Sequence, residues 1–143
     1  MTFQVLGLPA PQGSKTRMPN GCVIEGSSTS GRAKTRAWRE SVKDAAFAQA
    51  QAHGRFDGPT AVTLRLRFPW PASRKKSHHG WHVVKPDADK VLRATLDALV
   101  HGGLLRDDAL VCRLTVEARE TRGWLGATIT LGPAGPDGLA DSA

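Results

Sequence analysis

The chain has 143 residues, enough for one domain with a real core, and a formal net charge of +7. That excess of Lys and Arg favours a polyanionic partner, nucleic acid ahead of an anionic membrane surface. The only cysteines, Cys22 and Cys112, do not make a disulfide framework or a zinc site. No charged leader with an apolar run opens the chain and no stretch approaches the about 18 apolar residues of a membrane span, so a cytoplasmic protein is expected.

Phe3 to Leu8 reads as a first strand, closed by Pro9 and Pro11. Residues 12 to 33 are rich in Gly, Ser and Thr, with a short apolar piece at Cys22-Val23-Ile24, and read as a loop or loose hairpin. This stretch carries Lys15, Arg17 and Arg32, cations on a Gly-rich loop that suit phosphate contacts. Gln12-Gly13-Ser14-Lys15 lacks the spacing of a nucleotide phosphate loop. A helix is expected from about Thr35 to His53, ending at Gly54. Its inner side is Trp38, Val42, Ala45, Ala46 and Gln49; Arg36, Arg39 and Lys43 make a basic outer side. Ala61 to Phe68 then alternates as a strand, with Val62, Leu64, Leu66 and Phe68 on one face and Thr63, Arg65 and Arg67 on the other.

Residues 73 to 82 form the most basic run, with Arg74, Lys75 and Lys76 followed by His78, His79 and His82. The histidines lie in a polar loop without cysteine partners, so a solvated or phosphate-contacting loop is expected rather than a zinc site. Trp81 among these cations is suited to stacking on an unpaired base. Next comes Lys85-Pro86-Asp87-Ala88-Asp89-Lys90, an acidic pair in a basic chain. On extended backbone Asp87 and Asp89 point to one face. Asp89 is placed to cap a helix whose inner side is Leu92, Leu96, Leu99 and Val100, stopping at Gly102-Gly103. Asp97 stands four residues after Arg93, the spacing of a surface ion pair.

A short link leads to Asp107-Asp108 and a strand from Leu110 to Arg119, with Cys112 on its apolar parity and expected in the core. Thr121-Arg122-Gly123 turns into a last strand, Trp124 to Leu131, so these two strands read as a β-hairpin. Residues 1–132 read as the domain and 133–143 as a flexible Pro/Gly-rich tail. The expected fold class is α/β of the α+β type: a single domain with a mixed or mainly antiparallel sheet and two principal helices.

Carboxylates drawn together repel in a low-dielectric site, a cost that a divalent cation cancels. All-oxygen ligation selects Mg²⁺, with Mn²⁺ as an alternative, and such a site in a basic protein suits phosphodiester hydrolysis. Asp108 shares the parity of Leu110, Cys112 and Leu114, the face expected to receive the helix. The metal ligands are therefore assigned as Asp87, Asp89 and Asp108, with Asp107 as second choice. On the residues alone, Asp-x-Asp is also a plain helix cap and Asp107-Asp108 a plain turn.

Lys85-Pro86-Asp87-Ala88-Asp89-Lys90, then Leu96-Asp97-Ala98-Leu99, then Arg106-Asp107-Asp108-Ala109-Leu110-Val111 resembles the signature of the RusA family of Holliday junction resolvases. Gly7 to Arg17 and the helix with Trp38-Arg39 are similar to phage-type members, and the likeness runs to about Leu131. The resemblance implies a small homodimeric Mg²⁺-dependent endonuclease that resolves four-way DNA junctions by paired nicks, with no membrane and no small-molecule cofactor. Its three essential aspartates fall on Asp87, Asp89 and Asp108, and its catalytic cation, often a lysine, falls on Arg93. Lys90 stands where the family often has Asn, so either Arg93 or Lys90 faces the scissile phosphate. The expected DNA-binding rim is Lys15, Arg17, Arg32, Arg36, Arg74, Lys75 and Lys76. The rival readings are a branched-DNA-binding protein without catalysis, and a nuclease acting on flaps or RNA.

Overall fold

The computed structural model describes residues 1–12, 15–17, 23–25, 29–71 and 78–135, with backbone alone for 15–17, 23–25 and 29–30. The elements in chain order are β1 (Thr2–Leu6), β2 (Lys15–Arg17), β3 (Val23–Glu25), α1 (Thr29–His53), β4 (Thr60–Pro69), α2 (Ala88–His101), a 3-10 turn (Asp108–Leu110), β5 (Val111–Thr121) and β6 (Gly126–Pro133). Two helices and a four-stranded mixed sheet make the α+β fold expected from the sequence. None of the described helices is long and apolar enough to cross a membrane.

The sheet is built around β4. Val62, Leu64, Leu66 and Phe68 are all buried, and each contributes about 1.5–3 kcal/mol of apolar transfer to the fold. The strand order is β1-β6-β4-β5, with β4 parallel to β5 and antiparallel to β6. β5 and β6 therefore do not form the expected hairpin: β4 lies between them. Ala127, Ile129 and Leu131 are fully buried, so β6 belongs inside the sheet, while β5 is an edge strand. Alternation tells which face a residue takes but not which strand lies beside it.

The same edge position corrects the placement of Cys112, which is exposed rather than in the core. In β5 the even-numbered residues share the helix-covered face with β4, through pairs such as Val62 with Leu114 and Phe68 with Glu120. Cover is complete at Glu120, partial at Val116 and Ala118, and lost at Leu114 and Cys112. Residues 80–82 protect part of the outer edge. Glu120 N–H donates to the Gly80 carbonyl at 2.8 Å and His82 N–H to the Ala118 carbonyl at 2.9 Å.

α1 begins at Thr29, several residues before its expected start. Trp38, Val42 and Ala46 are buried against α2, and Trp38 Nε1–H donates to Thr95 Oγ1 at 3.1 Å. Thr95 in turn donates to the Val91 carbonyl at 2.8 Å, so the buried indole and hydroxyl are both satisfied. Gly102 closes α2 where the helices meet most tightly. A Cβ there would stand 2.6 Å from the Lys43 carbonyl oxygen and 2.7 Å from Ala46 Cβ. Gly103, at φ +80, makes the left-handed exit. β2 and β3 pair as the small hairpin suspected before α1. β6 runs to Pro133, and Ala134 N–H donates to the Pro59 carbonyl at 3.0 Å; residues 136–143 lie outside the described part.

Candidate active site

The crossover from β4 through α2 to β5 carries both acidic groups. α2 starts at Ala88, with Asp87 as its N-cap residue, so the expected cap at Asp89 moves back by two. Asp87 N-caps through its backbone alone: its carbonyl accepts from Val91 N–H at 3.2 Å, and its side chain makes no capping bond. Asp89 lies in the first helical turn, so the pair straddles a loop and a helix and the two-residue alternation of a strand does not apply. Both carboxylates are exposed at a helix N-terminus, where the helix dipole favours negative charge.

Asp107 and Asp108 precede β5. Asp108 lies in a 3-10 turn rather than on the strand, so the strand parity used to orient it is broken at that point. Asp107 N-caps the turn by accepting from Ala109 N–H at 2.9 Å. That bond, then the hydrogen bond with Asp108, lowers the Asp107 carboxyl below the usual aspartate value. Asp108 moves the other way. Its hydrogen bond with Asp107 raises it most, followed by slight burial and the charges of Asp107 and Asp97. The two adjacent carboxyls thus shift in opposite directions, as neighbouring like charges do.

Lys90 and Arg93 are exposed on α2, and their side chains make no ion pair or hydrogen bond among the described residues. The expected Arg93–Asp97 pair does not form. Asp97 lies 3.6 Å from Arg39 of α1 instead, because the packing of α1 on α2 brings that guanidinium to it. The arginines of β4 are also committed. Arg65 lies 3.4 Å from Glu117, and Arg67 donates to the Trp124 carbonyl at 2.9 Å and to Thr121 Oγ1 at 3.1 Å. Trp81 is 40 % exposed, but its ring is covered by the Arg119 guanidinium at 3.8 Å.

Of the expected rim, Arg36 is exposed on α1 and Arg32 is half-buried near its start. Lys15 and Arg17 lie on β2 with backbone alone described, and Arg74, Lys75 and Lys76 lie outside the described residues. His78 and His79 are exposed, whereas His82 is not a solvated loop residue. Its side chain is 5 % exposed, stacked on Phe68 with ring centroids 3.8 Å apart, and its Nε2–H donates to the Pro86 carbonyl at 3.0 Å. Its Nδ1 is 3.8 Å from Oε2 of the buried Glu120. Sequence reasoning missed this pair. The legible signal was a carboxylate at 120 on the apolar parity of 110, 112, 114, 116 and 118. Through Pro86, His82 holds the backbone that delivers Asp87.

Among the described residues, no three or more His, Cys, Asp or Glu side chains converge as a group able to hold a metal ion, so Asp87, Asp89 and Asp108 do not form a ready-made cage within the chain. Mg²⁺ rarely uses such a cage: it takes one or two carboxylates, several waters and substrate phosphate oxygens. Asp107 and Asp108 are adjacent exposed carboxylates that repel each other. Asp87 and Asp89 offer two more exposed carboxylates.

A family model described as Endodeoxyribonuclease RusA matches residues 11–131. The chain belongs to the RusA family. Comparison with curated proteins finds no match. The RusA match takes in α1, the sheet strands from β4 to most of β6, and both acidic groups, and leaves out β1. As a RusA protein the chain is an endodeoxyribonuclease of the Holliday-junction-resolving kind.

Proposed function

We propose that this RusA protein is a Mg²⁺-dependent, structure-selective DNA endonuclease that resolves four-way junctions by paired symmetric nicks as a homodimer. The observation that carries the reading is the set of uncommitted charges on the first turns of α2. Asp87, Asp89, Lys90 and Arg93 are exposed and their side chains unpaired among the described residues, whereas Asp97 further along α2 is paired with Arg39. Keeping opposite charges side by side without pairing them suits a site whose partners arrive with the substrate.

Asp87, Asp89 and Asp108 would hold the metal as ionised carboxylates, with Asp107 beside Asp108 and anchored on Ala109 N–H. When bound, Mg²⁺ supplies an acidified water and neutralises charge on the phosphate. Arg93 stabilises the charge that grows on the scissile phosphate. It keeps its proton at any working pH, so it acts as a fixed cation and not as a proton donor. Lys90, one turn earlier on the same helix, contacts the adjacent phosphate. Arg32, Arg36, Lys15, Arg17, Arg74, Lys75 and Lys76 form the rim that gathers the DNA backbone. An unstacked four-way junction has two-fold symmetry, and a two-fold dimer presents two such sites in matching positions.

A cleavage panel tests this. Matched duplex, fork, flap, four-way junction and RNA substrates are incubated with Mg²⁺ and with EDTA. Symmetric nicks confined to the junction and only with Mg²⁺ are expected. Salt-sensitive junction binding without cutting under any divalent ion would establish the non-catalytic alternative, and preferential cutting of flaps or RNA would reassign the substrate.

A further inference from the structure

A cavity of about 540 Å³ opens beside the candidate site, between the end of β4 and the start of α1. Its volume lies in the range of small-molecule pockets. The floor is the Phe68–His82 stack, with rings inclined by only 15° and Glu120 beside them. One wall is Trp70, whose ring is backed by the Arg122 guanidinium at 5.0 Å. The Pro9–Pro11 segment also lines the cavity, anchored where Thr35 Oγ1–H donates to the Pro11 carbonyl at 2.7 Å and Gln12 N–H to the Lys90 carbonyl at 3.1 Å. The rim carries two exposed cations, Lys34 and Lys85, and Lys85 stands two residues before Asp87.

We infer that this pocket receives one unstacked nucleobase of the DNA, lodged against Trp70, next to the phosphate that is cut. Three features select that occupant. The cavity is walled by flat aromatic and proline surfaces, which accept any base through its π-face. The lining lysines, Lys34 and Lys85, are exposed, so their ammonium groups can meet the phosphates flanking an inserted base. The mouth adjoins Asp87 through a backbone that His82 holds, so an inserted base fixes the register of the strand on the acidic site. A branch point also offers bases whose stacking is already interrupted, which lowers the cost of insertion. The pocket is thus a positioning device: it selects branched DNA and places the cut, without touching the reacting atoms.

This rests on the proposed junction cleavage, and the experiment separates the two. Four-way junctions carrying a single abasic residue, moved stepwise through the positions around the branch, are bound and cut by the parent chain and by Trp70→Ala. At one position base removal should weaken the parent's binding about ten-fold, the loss of one aromatic stack. Trp70→Ala should show that loss on the intact junction and no further loss on the abasic one. Trp70→Phe, which keeps a stacking face, should restore the sensitivity, and matching circular dichroism spectra exclude misfolding. Abasic profiles that run parallel in the parent and Trp70→Ala at every position, with junctions still bound and cut, overturn the pocket alone. A parent chain that neither binds nor cuts junctions overturns both readings.

Discussion

Gly102→Ala tests how rigidly α1 and α2 are held together. The new Cβ would sit 2.6 Å from the Lys43 carbonyl oxygen and 2.7 Å from Ala46 Cβ. Neither is the end of a flexible side chain, so relief requires the helices to part. Overpacking of this kind costs about 1–3 kcal/mol. Gly102 has helical φ and ψ of −75° and −8°, so alanine fits the backbone and recovers about 0.4–1 kcal/mol by restricting the unfolded chain. The net expectation is a loss of about 1–2 kcal/mol, a fall in Tm of roughly 3–10 °C for a domain of this size. Urea unfolding followed by circular dichroism should show a lower midpoint with an unchanged slope. Gly58→Ala, with nothing within 4 Å and no positive φ, is the neutral control. If Gly102→Ala unfolds at or above the parental midpoint, the contact between α1 and the end of α2 is not the tight one described.

The site yields further expectations. Asp89→Asn and Asp108→Asn should each slow junction cutting about 100-fold while sparing binding, measured by gel shift and single-turnover cleavage; parental rates in either would remove that aspartate from the site. In the metal-free protein, carboxyl NMR should place the Asp108 titration above the ordinary aspartate range. Asp107→Asn should shift it down, because the partner carboxylate that raises it is gone. An Asp108 titration unmoved by that change would mean that Asp107 does not raise it. Arg36→Ala should weaken binding equally across sequences and lower the log–log salt slope by about one; a slope identical to the parent's would take Arg36 off the DNA path.

The candidate site could be nominated from the sequence because its motif is local. Asp87, Asp89, Arg93 and Asp108 lie within 22 residues and bracket one helix, so their order and spacing survive without any knowledge of the fold. The orientation of each was not readable. Asp108 was assigned through strand parity, yet the chain makes a 3-10 turn there and Asp107 spends its side chain on Ala109. The Arg93–Asp97 pair followed helix spacing, but a guanidinium from another helix took Asp97.

By itself, the sequence determined the two helices, the alternating strand at the centre of the sheet and the acidic crossover, since each depends on periodicity within a few turns of chain. Only the tertiary structure decided that β4 separates β5 from β6, that Cys112 faces solvent, and that His82 is buried with Glu120. Those outcomes depend on which elements become neighbours, and neighbours are chosen by the packing of the whole chain rather than by any one stretch of it.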